Sequence, residues 1–365
     1  MPFLRVLTTL VLLLTGWAAA AAPVTVTDIA GRTVTLPQPA QRIVLGDGRH
    51  MAVLGMLMPD PVSRVVGWRQ DKSLDAPTMA AYRTKFPAID AIGSVGAGNR
   101  GLSSEAVIAL EPDLLVLSLS DLNDSGTARA RELVEAAGIP IVYVDFFTQP
   151  LANSLPSLRI LGTLTGTSDR AEAFAAFYDE HLARVRDRLA SADPDKPRVF
   201  FHVHAAPKGC CSTAGTGIFN DLIDVAGGHN VGADILKGVM GDVSLESVIA
   251  ADPDVYVATG GTHMASRGGL VLGSGVDAAT ARKSFDTLIA APGLSSLRAV
   301  EDRRVAGVWH LFNDSPSHIA LVEYLAKLFH PELFADLDPD ATMLSIQHDF
   351  APVAVDGTWW VGGTP

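Results

Sequence analysis

Short apolar runs rich in β-branched residues punctuate the chain and alternate with longer stretches of helical periodicity. In the first half "RIVLG", "RVVGW", "DLLVLS" and "IPIVYV" read as strands, with helical segments such as 127–137 between them. After Pro197, "RVFFHV", "DVYVAT" and "RVAGV" recur in the same alternation. Strands separated by amphipathic helices predict α/β lobes with mostly parallel sheets. The opening "VTVTDIAGRTVTL" alternates at period two on either side of Ala30-Gly31 and predicts a hairpin.

Between the halves, Phe174, Phe177, Tyr178, Leu182, Val185 and Leu189 recur at helical spacing and give one apolar stripe. Ser168 or Asp169 can cap this helix, and "ADPDKP" stops it. At 1.5 Å per residue it would reach roughly 35 Å, about the width of a domain. Two further segments match one another: "LSSEAVIALEPDLLVLS" and "VSLESVIAADPDVYVAT". The match aligns Ser103 with Ser244, Glu105 with Glu246 and Pro112-Asp113 with Pro253-Asp254. Each reads as a serine-capped helix, a Pro-Asp turn and a strand. A unit used twice predicts two similar lobes: 23–167 and 192–365, joined by one helix over 168–191. A ligand cleft is expected between them, and a single helical link argues against wide hinge closure.

The extreme N-terminus changes the picture of location. "MPFLR" carries positive charge, "VLTTLVLLLTGWA" is apolar and Ala18 to Ala22 are small, the order of a secretory leader over 1–22. The apolar run falls short of the ~20 residues of a membrane span. Cleavage near residues 20–22 and a periplasmic, monomeric protein are expected. With Asp+Glu 40 against Lys+Arg 28 the chain is acidic, which argues against nucleic acid as a partner. The only two cysteines, Cys210 and Cys211, are neighbours, which suits zinc poorly. Three states remain open for them: free thiols, a bridge between molecules, or a bridge between neighbours. The last, forming part of a pocket wall, is the expectation in an oxidising compartment.

Open α/β sheets bind ligands beyond the carboxyl ends of their strands. Residues following the expected strands are Arg49 and His50, Trp68 and Arg69, and Phe146 in the first lobe. In the second they are His204, Lys208, Cys210 and Cys211, then His263 and Arg267, then Trp309 and His310. His202, one strand position before the edge, reads as a packed sheet residue. Cationic, aromatic and imidazole side chains thus collect at one edge of both lobes. No H-E-x-x-H or G-x-S-x-G motif accompanies them.

The leader, "VTDIAGRTVTLPQPAQRIVLG", "SSEAVIALEPDLLVLS", "GIPIVYVD", the linking helix, "LIDVAGGHNV" and "SLESVIAADPDVYVATGG" together resemble one family. It is the periplasmic substrate-binding proteins of iron-siderophore, haem and cobalamin ABC importers, the class with a rigid interlobe helix. The resemblance implies a non-enzymatic protein without a resident cofactor, which delivers a metal chelate to an inner-membrane permease and its ATPase. It implies that Glu105 and Glu246 dock into arginine pockets of the two permease subunits. A ferric siderophore ranks first as ligand, with Arg49, Arg69, Lys208 and Arg267 supplying charge-assisted hydrogen bonds. Trp68, Phe146 and Trp309 would stack on its flat parts. Haem, with His50, His204, His263 or His310 as axial ligand, ranks second, and cobalamin third. A bilobal chelatase-like metal enzyme is the alternative from another class. The role of the tail "DGTWWVGG" is left open.

Overall fold

A computed structural model describes residues 22–97 and 101–363. The leader expected over 1–22 lies outside these apart from Ala22. Strands β1 (Val24–Thr27) and β2 (Thr33–Leu36) form the expected antiparallel hairpin. Asp28 closes its turn by accepting from Arg32 N at 2.8 Å and pins it to the first lobe by accepting from Tyr143 N at 3.1 Å.

The first lobe is a parallel sheet built from β3 (Ile43–Leu45), β4 (Val65–Trp68), β5 (Gly93–Ser94), β6 (Leu114–Ser118) and β7 (Ile141–Val144). Their order is β5-β4-β3-β6-β7. The second sheet contains β8 (Arg198–His202), β9 (Ser212–Ala214), β10 (His229–Asn230), β11 (Met240–Asp242), β12 (Val255–Gly260), β13 (Val305–Trp309) and β14 (Trp360–Gly362). It runs β11-β9-β8-β12-β13-β14, with β10 beside β8. Its centre, β8-β12-β13, is parallel, while β9, β11 and β14 add antiparallel margins. Because β6 is buried on both faces, its sequence is a continuous apolar run. Two α/β lobes with mostly parallel sheets are therefore present.

The repeat is structural as well as sequential. Ser103 Oγ accepts from Ala106 N and Ser244 Oγ from Ser247 N, both at 3.2 Å, so each serine caps its helix. Beyond each helix the Pro-Asp turn acts as a clamp. Asp113 accepts from Arg42 N at 2.9 Å and Asp254 from Arg198 N at 2.8 Å, at the start of the neighbouring strand. Those two arginines reach back to the helix ends: Arg42 to the Leu110 and Glu111 carbonyls, Arg198 to that of Ala251.

The linking helix spans Ser168–Ala192. Phe174, Tyr178, Leu182 and Val185 are buried, while Phe177 and Leu189 are partly covered. Neither Ser168 nor Asp169 caps it. The preceding helix (Pro150–Thr165) ends at the left-handed Gly166, and Thr167 enters the next turn with its hydroxyl paired to Thr165 at 2.8 Å. The apolar core runs unbroken from the first lobe (Leu45, Leu161) through Phe174 and Tyr178 to the second (Leu321, Phe329). Tyr178 also bonds His318 Nε2 at 2.7 Å, and His181 bonds the buried Glu323 at 2.7 Å. Opening the lobes widely would break this continuous packing, so the link is stiff for a physical reason.

The aromatic tail completes the second sheet. β14 pairs antiparallel with β13, Trp359 packs edge-on against Trp309 at 4.9 Å, and Trp360 stacks on Tyr324 at 5.0 Å. Among the described residues no helix is long and apolar enough to cross a membrane.

Candidate functional site

In the second lobe three adjacent parallel strands deliver three histidines to one place. His204 follows β8, His263 follows β12 and His310 follows β13. His263 Nε2 lies 3.0 Å from His204 Nδ1, and the His204 and His310 rings are 3.8 Å apart. Thr259 organises the group, accepting from His204 N at 3.0 Å and pairing with His310 Nδ1 at 3.0 Å. Asn313 holds the other nitrogen of His310 at 3.3 Å. Burial lowers the His204 imidazole to about 4, helped by repulsion from His263 and Arg267. Burial and Arg267 lower His263, and burial takes His310 well below its ordinary value. The three rings are thus neutral around pH 7; His204 and His263 can offer a nitrogen to a metal, while both nitrogens of His310 already have partners. Lys208 and Arg267 are exposed.

Cys210 and Cys211 are bonded to one another, and Cys211 is buried at 1 % exposure. His202 sits beneath them as a packed sheet residue, its Nδ1 held by Tyr256 Oη at 2.7 Å. Donor atoms of His202, Cys210 and Cys211 lie within 4.8 Å of one another. Sulfurs bonded to each other are not thiolates, so this trio is no metal site in the oxidised protein. Intact mass after alkylation is expected to show no label on the native protein and two labels once it has been reduced. Two labels without reduction would contradict the bridge.

The first lobe departs from the expected lining. Trp68 and Phe146 are 3 % and 1 % exposed, so neither presents a face for stacking. Phe146 is turned inward because Asp145 gathers the N–H groups of Phe147, Thr148 and Gln149 and the Asn153 amide around itself. His50 is buried edge-on against Phe146, and burial lowers it to about 4. Arg69 is buried and bonded to Asp71 at 2.6 Å, with Asp121 at 3.9 Å. Arg49 is bonded to Asp47 at 2.7 Å and, across the lobe boundary, to Asp314. Lys72 stands 3.7 Å from Asp47. Neither arginine is a free cation, because four carboxylates already claim them. Asp47 was readable beside Arg49 in "GDGR"; Asp314 carried no signal in the sequence.

This pairing sets the electrostatics of the lobe boundary. Burial, only partly offset by Arg49, raises Asp314 to about 6. Burial would also raise Asp47, but the charge of Arg49 and its hydrogen bonds, with Lys72 adding to them, hold it below the ordinary carboxylate range. Further contacts cross the boundary: Thr78 Oγ1 to Ser274 Oγ at 3.0 Å, and Lys85 Nζ to the Pro352 carbonyl at 2.6 Å. Beside Arg49 and Trp309 lies a cavity of about 130 Å³, walled by Met56 and Leu74 from one lobe and Leu311 and Met343 from the other. None of these four was among the expected residues, since apolar positions in helices and the loops beside them look like any other core.

Glu105 and Glu246 are exposed on the first turns of the two repeated helices. One turn on, Ile108 and Ile249 are also exposed, at 38 % and 46 %.

Comparison with known proteins gives a consistent neighbourhood. The sequence profile described as "Periplasmic binding protein" matches residues 71–308. A "Cobalamin-binding protein" of Halobacterium salinarum is 26 % identical over 238 residues, 64 % of this chain and 58 % of that one. An uncharacterised ABC transporter substrate-binding lipoprotein of Bacillus subtilis is 23 % identical over 319 residues, 86 % of this chain and 88 % of its own. In three dimensions the TroA-like periplasmic binding protein FepB of Veillonella parvula superposes with a TM-score of 0.83 at 26 % identity. That match covers 93 % of this chain and 99 % of the other.

Proposed function

Because the chain belongs to the periplasmic binding protein family, we propose that it captures an anionic metal chelate, a ferric siderophore ranking first, and hands it to an inner-membrane ABC permease. The observation that carries this reading is the strand-end cluster of the second lobe. Three imidazoles gather there, Arg267 acts on two of them, and the disulfide-bonded loop follows the same strand as His204, at the place where open α/β sheets bind ligands. Lys208 and Arg267 would meet the negative rim of the chelate with charge-assisted hydrogen bonds. Trp309, half-covered by Trp359, would bound the crevice on the side of the apolar cavity. Glu105 and Glu246 would engage the two permease subunits.

A corrinoid is the second reading, favoured by the name of the Halobacterium relative. Native mass spectrometry of protein purified from its own periplasm separates the two. A metal chelate of siderophore type is expected as a dissociable mass increment. A corrinoid increment would replace the first reading with the second, and protein that never acquires a ligand from its own periplasm would count against capture.

A further inference from the structure

We infer that His204 and His263 together occupy two adjacent coordination positions of the cargo's metal, so that the ligand is an anionic chelate which leaves those two positions open. The inference rests on the proposed capture of a metal chelate and narrows it to a coordination class.

The argument begins with a distance. Metal–imidazole bonds measure ~2.0–2.1 Å, so two nitrogens on one metal are ~2.9 Å apart at a right angle and ~3.4 Å apart in a tetrahedron. On opposite sides of the metal they would be ~4.1 Å apart. His204 Nδ1 and His263 Nε2 are already 3.0 Å apart. They match adjacent positions and not opposite ones.

That geometry sorts the candidate cargoes. A planar macrocycle fills four positions in one plane and leaves only the two opposite ones, which this pair cannot both reach. A chelator with six donors leaves none. A chelator with four donors or fewer leaves two adjacent positions for the protein. When the metal enters, the hydrogen shared by the two rings moves to the far nitrogen of its own ring. Each imidazole keeps one N–H, so no net proton is released.

The surroundings keep the pair in place and set the charge of the cargo. His310 stacks against His204 at 3.8 Å and is itself fixed through Thr259 and Asn313. It is a positioning residue, since both its nitrogens have partners. His263 and Arg267 share one short helical turn, Thr262–Arg267, and Arg267 is close enough to act on both rings. A fixed positive charge there opposes a bare cation and favours a metal whose chelator brings net negative charge.

Nickel(II) nitrilotriacetate tests this directly, because it has four donors, two adjacent open positions and a net negative charge. Calorimetric titration of the untagged protein should show one complex bound per chain, with a shift in the nickel absorption bands as nitrogen replaces water. His263→Ala should weaken binding at least 100-fold. So should His204→Asn, chosen because His204 has φ 50° and asparagine tolerates that region. Nickel(II) EDTA, which fills all six positions, should not bind. Arg267→Ala should weaken the nitrilotriacetate complex several-fold without weakening bare nickel. Equal affinity in the wild type and both histidine variants would overturn the inference, as would equally tight binding of the EDTA complex. Indifference to Arg267→Ala would overturn the anionic class. A native cargo with every coordination position filled would overturn the inference while leaving chelate capture intact.

Discussion

A Glu105→Ala, Glu246→Ala protein is expected to lose uptake altogether while binding its ligand as tightly as the wild type. Both carboxylates sit exposed on first helical turns, one on each lobe, at positions related by the structural repeat. Neither belongs to the strand-end cluster, so the crevice should not register their loss. Ile108 and Ile249 strengthen the argument, because each lies three residues beyond its glutamate, on the same helical face, and is exposed. An acidic residue beside an exposed apolar one, presented twice, suits a permease with two similar subunits. Each single variant should retain partial transport, since one contact survives. The check is radiolabelled or coloured chelate uptake in cells, with fluorescence titration of the purified variant alongside. Normal transport by the double variant would remove these helices from the docking surface.

Arg49→Ala is expected to act on stability far more than on affinity. Its guanidinium neutralises Asp47 and Asp314, whose side chains are 3 % and 9 % exposed. Removing it leaves Asp47 with Lys72 at 3.7 Å but leaves the buried Asp314 without its ion-pair partner, and breaking a buried pair in this way typically costs ~3–5 kcal/mol. Arg49 itself keeps 24 % exposure, so the lower end, about 3 kcal/mol, is expected. Urea denaturation should show a lower midpoint with an unchanged slope. Asp314→Asn added to Arg49→Ala should restore part of the loss, because it removes the orphaned carboxylate. A weakened chelate affinity with unchanged stability would return Arg49 to the ligand site.

The contrast between the two arginine-rich edges shows where reading the sequence stops. Arg49, Arg69, Lys208 and Arg267 all follow expected strands and look equivalent on paper. In the structure Lys208 and Arg267 face solvent, while Arg49 and Arg69 are held by carboxylates. Asp71 and Asp47 lie two residues from their arginines, but Asp314 is 265 positions from Arg49. Likewise Trp68 and Phe146 look like stacking surfaces until the fold buries them.

What the sequence determined by itself is everything carried by short-range periodicity. The hairpin about Ala30-Gly31, the positions of the strand segments, the capped helices of the repeat and the apolar stripe of the linking helix are marked by neighbours within a turn or two. Local backbone preference and the alternation of apolar with polar positions mark such features in the sequence itself. Only the tertiary structure decided that three histidines from separate strands meet, that Arg49 ties one lobe to the other, and that the Trp-rich tail becomes an edge strand. Those outcomes depend on distances of a few ångströms between residues far apart in the chain. No local pattern encodes such a distance, because it exists only once both sheets have packed.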